Sequence, residues 1–208
     1  MDKKGNILEH SKIKLELYRL YLELYLTVIL NSQRFGKVFI HDIFAGSGKS
    51  ENNEKGSPLI AAVEIQKIRK KFPTTPVTLR LNEKCSEKFP RLQEALKPFT
   101  FATLSNLDAN GYIQQWRLPS GSHNLFFVDP HGYTQISIDN LKGLFSMERS
   151  DFLIFIPIYH IYRFLRKEED SEQLTPIANF LRDLNIGEEE AKSAVNLDAF
   201  AELVIGAL

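Results

Sequence analysis

Acidic side chains lie where four predicted strands of this 208-residue chain end, and a glycine-containing turn follows the first of these strands. An apolar run over residues 37–41 ends on Asp42 and is followed by a turn of mostly small residues. The residues of this turn are Phe44, Ala45, Gly46, Ser47 and Gly48. Because the glycines carry no side chains, a ligand can approach the backbone closely and accept hydrogen bonds from its N–H groups. Ligands of α/β sheets bind at the carboxyl ends of strands, so Asp42 and this turn predict a nucleotide-type cofactor site.

Three further acidic residues lie at or just after the ends of later predicted strands: Glu83, Asp108 and Asp129. In a doubly wound sheet these positions line one crevice together with Asp42. S-adenosylmethionine needs such a crevice, with small residues beneath its methionine part. We predict that Glu83 accepts hydrogen bonds from the ribose, that Asp108 or its neighbours bind the adenine amino group, and that Asp129 contacts the cofactor beside its methyl. His131 could act as a base near neutral pH, so Asp129 and His131 are the candidate catalytic residues.

The same turn also resembles the end of a phosphate-binding P-loop, because residues 46–50 read Gly-Ser-Gly-Lys-Ser. In that interpretation Lys49 and Ser50 would hold phosphate and magnesium, and the strand ending at Asp129 would supply a magnesium-binding carboxylate. Two features oppose a P-loop NTPase. Ile43 replaces the first glycine of the motif, and a polar, acidic loop follows Ser50 where a P-loop runs directly into a helix.

The elements that must position these residues alternate along the chain. Five apolar runs predict strands, at residues 37–42, 77–83, 99–104, 124–129 and 151–158. The segments between these runs have helical patterns. This alternation predicts an α/β fold, a Rossmann-like three-layer sandwich with a mainly parallel sheet.

Two segments lie outside the alternation. Residues 11–30 have apolar residues at helical spacing, among them Ile13, Leu17, Leu20, Leu24 and Val28, and predict an N-terminal helix that packs in the core, with a partner-binding face as the alternative. Residues 166–208 predict several short helices. The domain prediction is therefore a Rossmann-like domain over residues 1–165 and a helical appendage over residues 166–208. The appendage ends on an apolar run, unlike most native termini, so we leave open that it is truncated.

The composition narrows the classes of partner. Basic and acidic side chains number 26 each, so the net charge of +0 does not support binding of nucleic acid by bulk electrostatics, although a local basic patch stays open. The single cysteine, Cys85, excludes an internal disulfide and a cysteine-based metal site, and we predict no metal. We find no signal peptide and no run long enough to span a bilayer, which predicts a cytoplasmic protein without a membrane partner. The oligomeric state stays open.

The order of these motifs resembles the three-Cys-motif partner proteins (TcmP), a bacterial family related to class I methyltransferases. The resemblance covers about residues 10–165 and rests on HSKIKL at 10–15, DIFAGSG at 42–48, GSPL at 56–59, NEK at 82–84, FVDPHG at 127–132 and the run ending in Ile156-Pro157. It implies a Rossmann-like methyltransferase domain with S-adenosylmethionine as cofactor, and a partner protein that carries the three-cysteine motif. The cofactor residues that it implies are Asp42, Ala45, Gly46, Ser47, Gly48, Glu83 and Asp108.

The resemblance weakens at the side where a methyl acceptor would bind. Asp129 takes the position of the acidic residue in the Asp-Pro-Pro-Tyr motif of amino-methyltransferases. Here residues 129–132 read Asp-Pro-His-Gly, without the second proline and without the aromatic residue that would stack on a flipped base. The first hypothesis is therefore a methyltransferase of unknown acceptor that works with a three-Cys-motif protein. The second is a non-catalytic module of the same fold that uses the crevice for assembly.

Overall fold

The computed structural model describes residues 7–116, 119–130, 132, 135–166 and 174–208. Within these ranges the chain forms five strands and nine helices. In chain order they are α1 Glu9–Ser32, β1 Lys37–Asp42, α2 Ser57–Lys71, β2 Val77–Asn82, α3 Phe89–Leu96, β3 Ala102–Ser105, α4 Ala109–Gln115, β4 Ser122–Val128, α5 Ile138–Phe145, β5 Ser150–Ile154, α6 Ile158–Leu165, α7 Leu174–Asp183, α8 Glu188–Ser193 and α9 Leu197–Ala207. All five predicted strands are present.

The five strands form one parallel sheet in the order β3-β2-β1-β4-β5. The chain runs outward from β1 to β3 and then returns to the other side of β1 to build β4 and β5. These are the first five strands of the Rossmann order, so the predicted Rossmann-like α/β fold is confirmed. The strand order reverses between β1 and β4, where Asp42 pairs with Phe127. Sheets of this kind bind ligands at the carboxyl ends of the strands beside such a reversal.

Helices cover both faces of this sheet. Tyr18 of α1 stacks on Phe127 of β4, with ring centroids 4.0 Å apart. On the other face the hydroxyl of Tyr112, in α4, lies 2.8 Å from Nδ1 of His41. His41 pairs with Phe126, the neighbour of Phe127, and successive residues of a strand point to opposite faces. The predicted three-layer arrangement is therefore confirmed.

The contacts between residues divide the chain into two compact units. The first comprises Met1–Asp129 and Met147–Ile154 and contains the whole sheet with α1 to α4. The second comprises Pro130–Ser146 and Phe155–Leu208 and contains α5 to α9. This grouping differs from the predicted division at residues 165/166, which stays a prediction. No helix in the described ranges has the length and apolarity needed to cross a bilayer.

Several elements begin or end a few residues from the predicted positions, for local reasons. The sequence predicts that the fifth strand continues to residue 158, but β5 ends at Ile154, because Ile154 pairs with Val128, the last residue of β4. The third strand begins at Ala102 because the Ala102 N–H donates to the carbonyl of Phe99 in a turn. Neither difference moves the carboxyl ends of β1, β2 and β4.

Candidate functional site

The carboxyl ends of four neighbouring strands bring the predicted acidic residues to one edge of the sheet. Asp42 is the last residue of β1, Glu83 follows β2, and Asp129 follows β4. Asp108 lies between β3 and α4. Because these strands are parallel and adjacent, their carboxyl ends meet at one edge, as the sequence predicted. His131 lies outside the described residues, and its catalytic role stays a prediction.

The carboxyl group of Asp42 is fully buried and its hydrogen bonding is incomplete. Oδ1 accepts a hydrogen bond from the backbone N–H of Phe44 at 3.2 Å. Among the described residues no hydrogen bond of ordinary geometry reaches Oδ2. Burial raises the pKa of Asp42 to about 7, although the nearby Ser57 hydroxyl favours the charged form. A buried oxygen that lacks a hydrogen bond, as Oδ2 does, costs free energy that a ligand with N–H groups would recover.

A second buried polar atom lies in the same region. The hydroxyl of Tyr18, a fully buried residue of α1, also has no hydrogen-bond partner among the described residues. Burial raises the pKa of this hydroxyl, and the negative charge of Asp42 raises it further. A buried polar atom without a hydrogen bond is uncommon in a folded protein and calls for an explanation, and a ligand site would explain both of these atoms.

The two glycines of the turn have different roles. Gly46 and Gly48 have φ angles of 66° and 82°, in the left-handed region that disfavours other residues. A Cβ atom on Gly48 would lie 3.1 Å from the Cβ of Ala95 in α3, so the turn packs closely against that helix. A Cβ on Gly46 would have no atom within 4 Å. The Gly46 backbone therefore borders open space from which a ligand can approach.

The carboxylate of Glu83 is anchored to this turn. Oε2 accepts from the N–H of Gly46 and Oε1 accepts from the N–H of Cys85, each at 2.7 Å. Each carboxylate oxygen can accept a second hydrogen bond, and the side chain is only half-buried. Glu83 is thus held in a fixed position and keeps acceptor capacity for two hydroxyl groups.

Asn82 ties three strand ends together, a role that the sequence analysis missed. Its buried side chain donates from Nδ2 to the carbonyls of Ile43 at 3.3 Å and Leu107 at 3.0 Å. Its Oδ1 accepts from the N–H of Leu107 at 3.1 Å, and its carbonyl accepts from the N–H of Ala45 at 3.0 Å. The available signal was a polar side chain at the last position of an otherwise buried strand.

We expect Asn82→Ala to lower the free energy of unfolding by about 2–4 kcal/mol, because it leaves buried backbone groups of Ile43 and Leu107 without partners. Urea denaturation followed by circular dichroism measures this change. Asn31→Ala is the matched control, because Asn31 is exposed and donates one hydrogen bond within α1. A loss no larger than that of the control would contradict the role of Asn82.

Asp129 forms an ion pair with Lys14 of α1, another contact that the sequence analysis missed. Nζ of Lys14 lies 2.5 Å from Oδ1 and 2.7 Å from Oδ2. The exposed fractions of the two side chains are 30% and 25%, so the pair is only partly open to solvent. This carboxylate therefore binds an ammonium group at the end of β4. The predicted place of Asp129 beside a transferred methyl stays a prediction.

Asp108 has a structural role. It is the N-cap of α4, and its Oδ1 accepts from the N–H of Gly111 at 3.1 Å. Its side chain is exposed. A role in binding an adenine amino group stays a prediction.

The segment after the turn has a geometry that opposes the P-loop. Lys49 and Lys55 pair as an antiparallel bridge, and the N–H of Ser50 donates to the carbonyl of Glu54 at 3.0 Å. α2 begins only at Ser57. Lys49 and Ser50 therefore lie in a small hairpin that precedes α2, whereas in a P-loop they would run directly into the helix whose N-terminus holds phosphate. In the described part of the chain, no three His, Cys, Asp or Glu side chains are grouped as a metal ion would require.

No family model matches the chain, and no curated protein does. Solved structures resemble it distantly. A conserved hypothetical protein from Streptococcus pyogenes is 20% identical at a TM-score of 0.37, and the match covers 57% of this chain and 65% of that one. A candidate methyltransferase, yhhF from Escherichia coli, is 19% identical at a TM-score of 0.40, over 67% of each chain. PKMT2 from Rickettsia typhi is 13% identical at a TM-score of 0.39, over 91% of this chain and 36% of that one.

The chain thus spans less than two thirds of the Streptococcus protein and about a third of PKMT2. At TM-scores below 0.5 these likenesses carry no argument about activity. The sheet order and the contacts at its carboxyl edge are the basis for a functional proposal.

Proposed function

We propose that this chain binds S-adenosylmethionine at the carboxyl edge of its sheet and serves as a methyltransferase domain. The observation that carries the proposal is the buried, incompletely bonded carboxyl group of Asp42 beside the open backbone of Gly46. The ammonium group of the cofactor's methionine part has the N–H donors that Oδ2 lacks. Glu83, held at the same turn, has the acceptor capacity for the two ribose hydroxyls. The acceptor groups of Asp42 and Glu83 therefore match the donors of this cofactor.

Bound S-adenosylmethionine would supply an electrophilic methyl group. The chain itself would hold the cofactor through the turn and Glu83 and would align an acceptor nucleophile with that group. In this proposal Asp129 would orient a nucleophile and take its proton, once the acceptor displaces Lys14. The acceptor itself is not identified.

A partner carrying a three-cysteine motif belongs to the same proposal. Its support is the order of sequence motifs over about residues 10–165, from HSKIKL to Ile156-Pro157. In this proposal the partner brings the acceptor or completes its site, since Asp129 lacks the neighbouring aromatic residue that a flipped base needs.

One observation favours a second function, a non-catalytic module of the same fold. The Lys14 ammonium occupies both oxygens of Asp129, the candidate catalytic carboxylate. A protein that uses the crevice for assembly alone would need no free acid at that position.

Isothermal titration calorimetry of the purified chain tests the cofactor proposal, with S-adenosylmethionine as ligand and ATP with magnesium as comparison. We expect micromolar binding of S-adenosylmethionine that weakens about 10- to 100-fold in Glu83→Gln, because hydrogen bonds to a charged group are lost. Glu94→Gln is the matched control on an exposed position of α3. Binding of ATP alone would overturn the proposal in favour of a nucleotide hydrolase, and binding of neither would contradict a cofactor site.

A further inference from the structure

Helix α1 is apolar on two opposite faces. Its inner face is buried against the rest of the first unit through Tyr18, Leu22, Tyr25, Leu26 and Leu30. Its outer face carries large apolar side chains that are 47–72% exposed, and we name this set the outer stripe. The outer stripe consists of Ile13, Leu17, Leu20, Leu24 and Val28. An apolar helix face is normally covered by another element.

The sequence predicts that the outer stripe packs in the core, and this is wrong, because its five residues are exposed and the opposite face of α1 is the buried one. The outer stripe runs along most of a 24-residue helix, about 36 Å at 1.5 Å per residue. Taking roughly 100 Å² of apolar surface for each of its side chains, the outer stripe offers about 500 Å². A patch of about that size is comparable to the largest on a typical monomer, and such patches are often functional.

We propose that the outer stripe pairs with the outer stripe of a second copy of this chain, as two antiparallel helices related by a two-fold axis. From Ile13 to Leu24 the stripe advances in steps of four, three and four residues, the spacing of a coiled-coil seam. With the axis between residues 18 and 19, Ile13 lies beside Leu24 of the second copy and Leu17 beside Leu20. The same pairs recur on the other side of the axis, as a two-fold interface requires.

The area is sufficient for such a pair. Two outer stripes bury about 1,000 Å² of apolar surface together, the lower bound for a specific interface, and the flanking polar side chains add to it. One margin of the stripe carries Glu16 and Glu23, which would meet the same residues of the second copy. Arg19 offsets both charges within each helix, at 2.8 Å from Glu16 and 3.3 Å from Glu23. Apolar contact therefore drives the pairing, which added salt should not weaken.

Sedimentation equilibrium of the wild-type chain at 1–100 µM protein tests the pairing. We expect a dimer whose dissociation constant rises at least 100-fold in the double variant Leu20→Glu, Leu24→Glu, because each change removes a buried apolar contact. Both side chains are exposed within one copy, so the circular dichroism spectrum should not change. Ile205→Glu is the matched control, since Ile205 and Leu24 are both 64% exposed. A wild-type monomer at every concentration, or a dimer that the double variant leaves intact, would overturn the proposal.

Disulfide cross-linking tests the orientation in a Cys85→Ser background, which removes the single native thiol. Two single variants, Ile13→Cys and Leu24→Cys, are mixed and oxidised. The antiparallel register places these two positions side by side, within reach of a disulfide. We expect the mixed disulfide to dominate. A parallel pair would instead give 13–13 and 24–24 disulfides from each variant alone, and that result would contradict the two-fold antiparallel arrangement.

Discussion

An Asp42→Asn variant should be more stable than the wild-type chain above pH 7 and should bind S-adenosylmethionine at least about tenfold more weakly, because one charged hydrogen-bond acceptor is lost. The gain in stability follows from the buried carboxyl group, whose pKa rises from its usual 3.8 to about 7 in the folded chain because of burial. Above pH 7 the folded state must keep a buried charge that the unfolded state exposes to water. Asparagine has a similar shape and carries no charge.

The sign of the pH dependence follows from proton linkage. Between pH 3.8 and about 7 the folded chain holds a proton on Asp42 that the unfolded chain has released. The contribution of Asp42 to the free energy of unfolding therefore falls as the pH rises through this window. We expect the advantage of Asp42→Asn to be near zero at pH 4 and about 2–4 kcal/mol at pH 8.

Urea denaturation at pH 4, 6 and 8 measures this difference, and calorimetry measures the affinity. Asp108→Asn is the matched control, since Asp108 is exposed and asparagine also caps a helix. The control should change stability by less than about 0.5 kcal/mol at every pH. An Asp42→Asn variant that is less stable than the wild type at pH 8 would show that the carboxylate has a buried partner.

The two glycines of the turn should respond differently to alanine. Gly48→Ala forces a left-handed φ on a residue with a Cβ and brings that atom to 3.1 Å from Ala95. We expect a loss of about 2–4 kcal/mol in the free energy of unfolding, from strain and overpacking together. Gly46→Ala also forces a left-handed φ, but its Cβ would lie in open space. The free energy of unfolding should therefore fall by only about 1 kcal/mol.

For cofactor binding we expect the opposite order, with Gly46→Ala the more damaging of the two variants. The methyl group of Gly46→Ala projects into the space from which we propose that the cofactor approaches, and binding should fall below detection in calorimetry while the chain stays folded. Each variant thus serves as the control for the other. Full cofactor affinity in Gly46→Ala would place the ligand elsewhere, and equal stability of the two variants would contradict the contact with α3.

Much of the fold follows from local patterns in the sequence. The five apolar runs predict the strands because burial on both faces of a parallel sheet leaves few alternatives. The turn at 44–48 is predictable because two of its residues adopt a φ that favours glycine. The predicted end of β5 was wrong because the apolar residues after Ile154 also suit the helix that follows. Periodicity in so short a run does not separate a strand from a helix.

The contacts that complete the candidate site were not predictable in the same way. Lys14 and Asp129 are 115 residues apart in the chain, and no local pattern joins them. Asn82 satisfies backbone groups of two other segments, so its importance becomes visible only when β1 and β3 lie on either side of β2. The exposure of the outer stripe was unpredictable for a related reason, since helical spacing alone does not say which sides of α1 are covered.

The small hairpin at residues 49–55 has a consequence for how this protein can vary. The N–H of Gly56 donates to the carbonyl of Gly48 at 2.9 Å, so the backbone closes behind the hairpin before α2 begins. Asn53, with a φ of 61°, turns the chain at the tip. The hairpin can therefore become longer without changing the crevice, because lengthening a loop whose ends are already joined costs little free energy. Insertions in this hairpin, whether they arise in evolution or carry an engineered tag, should leave the turn at 44–48 unchanged.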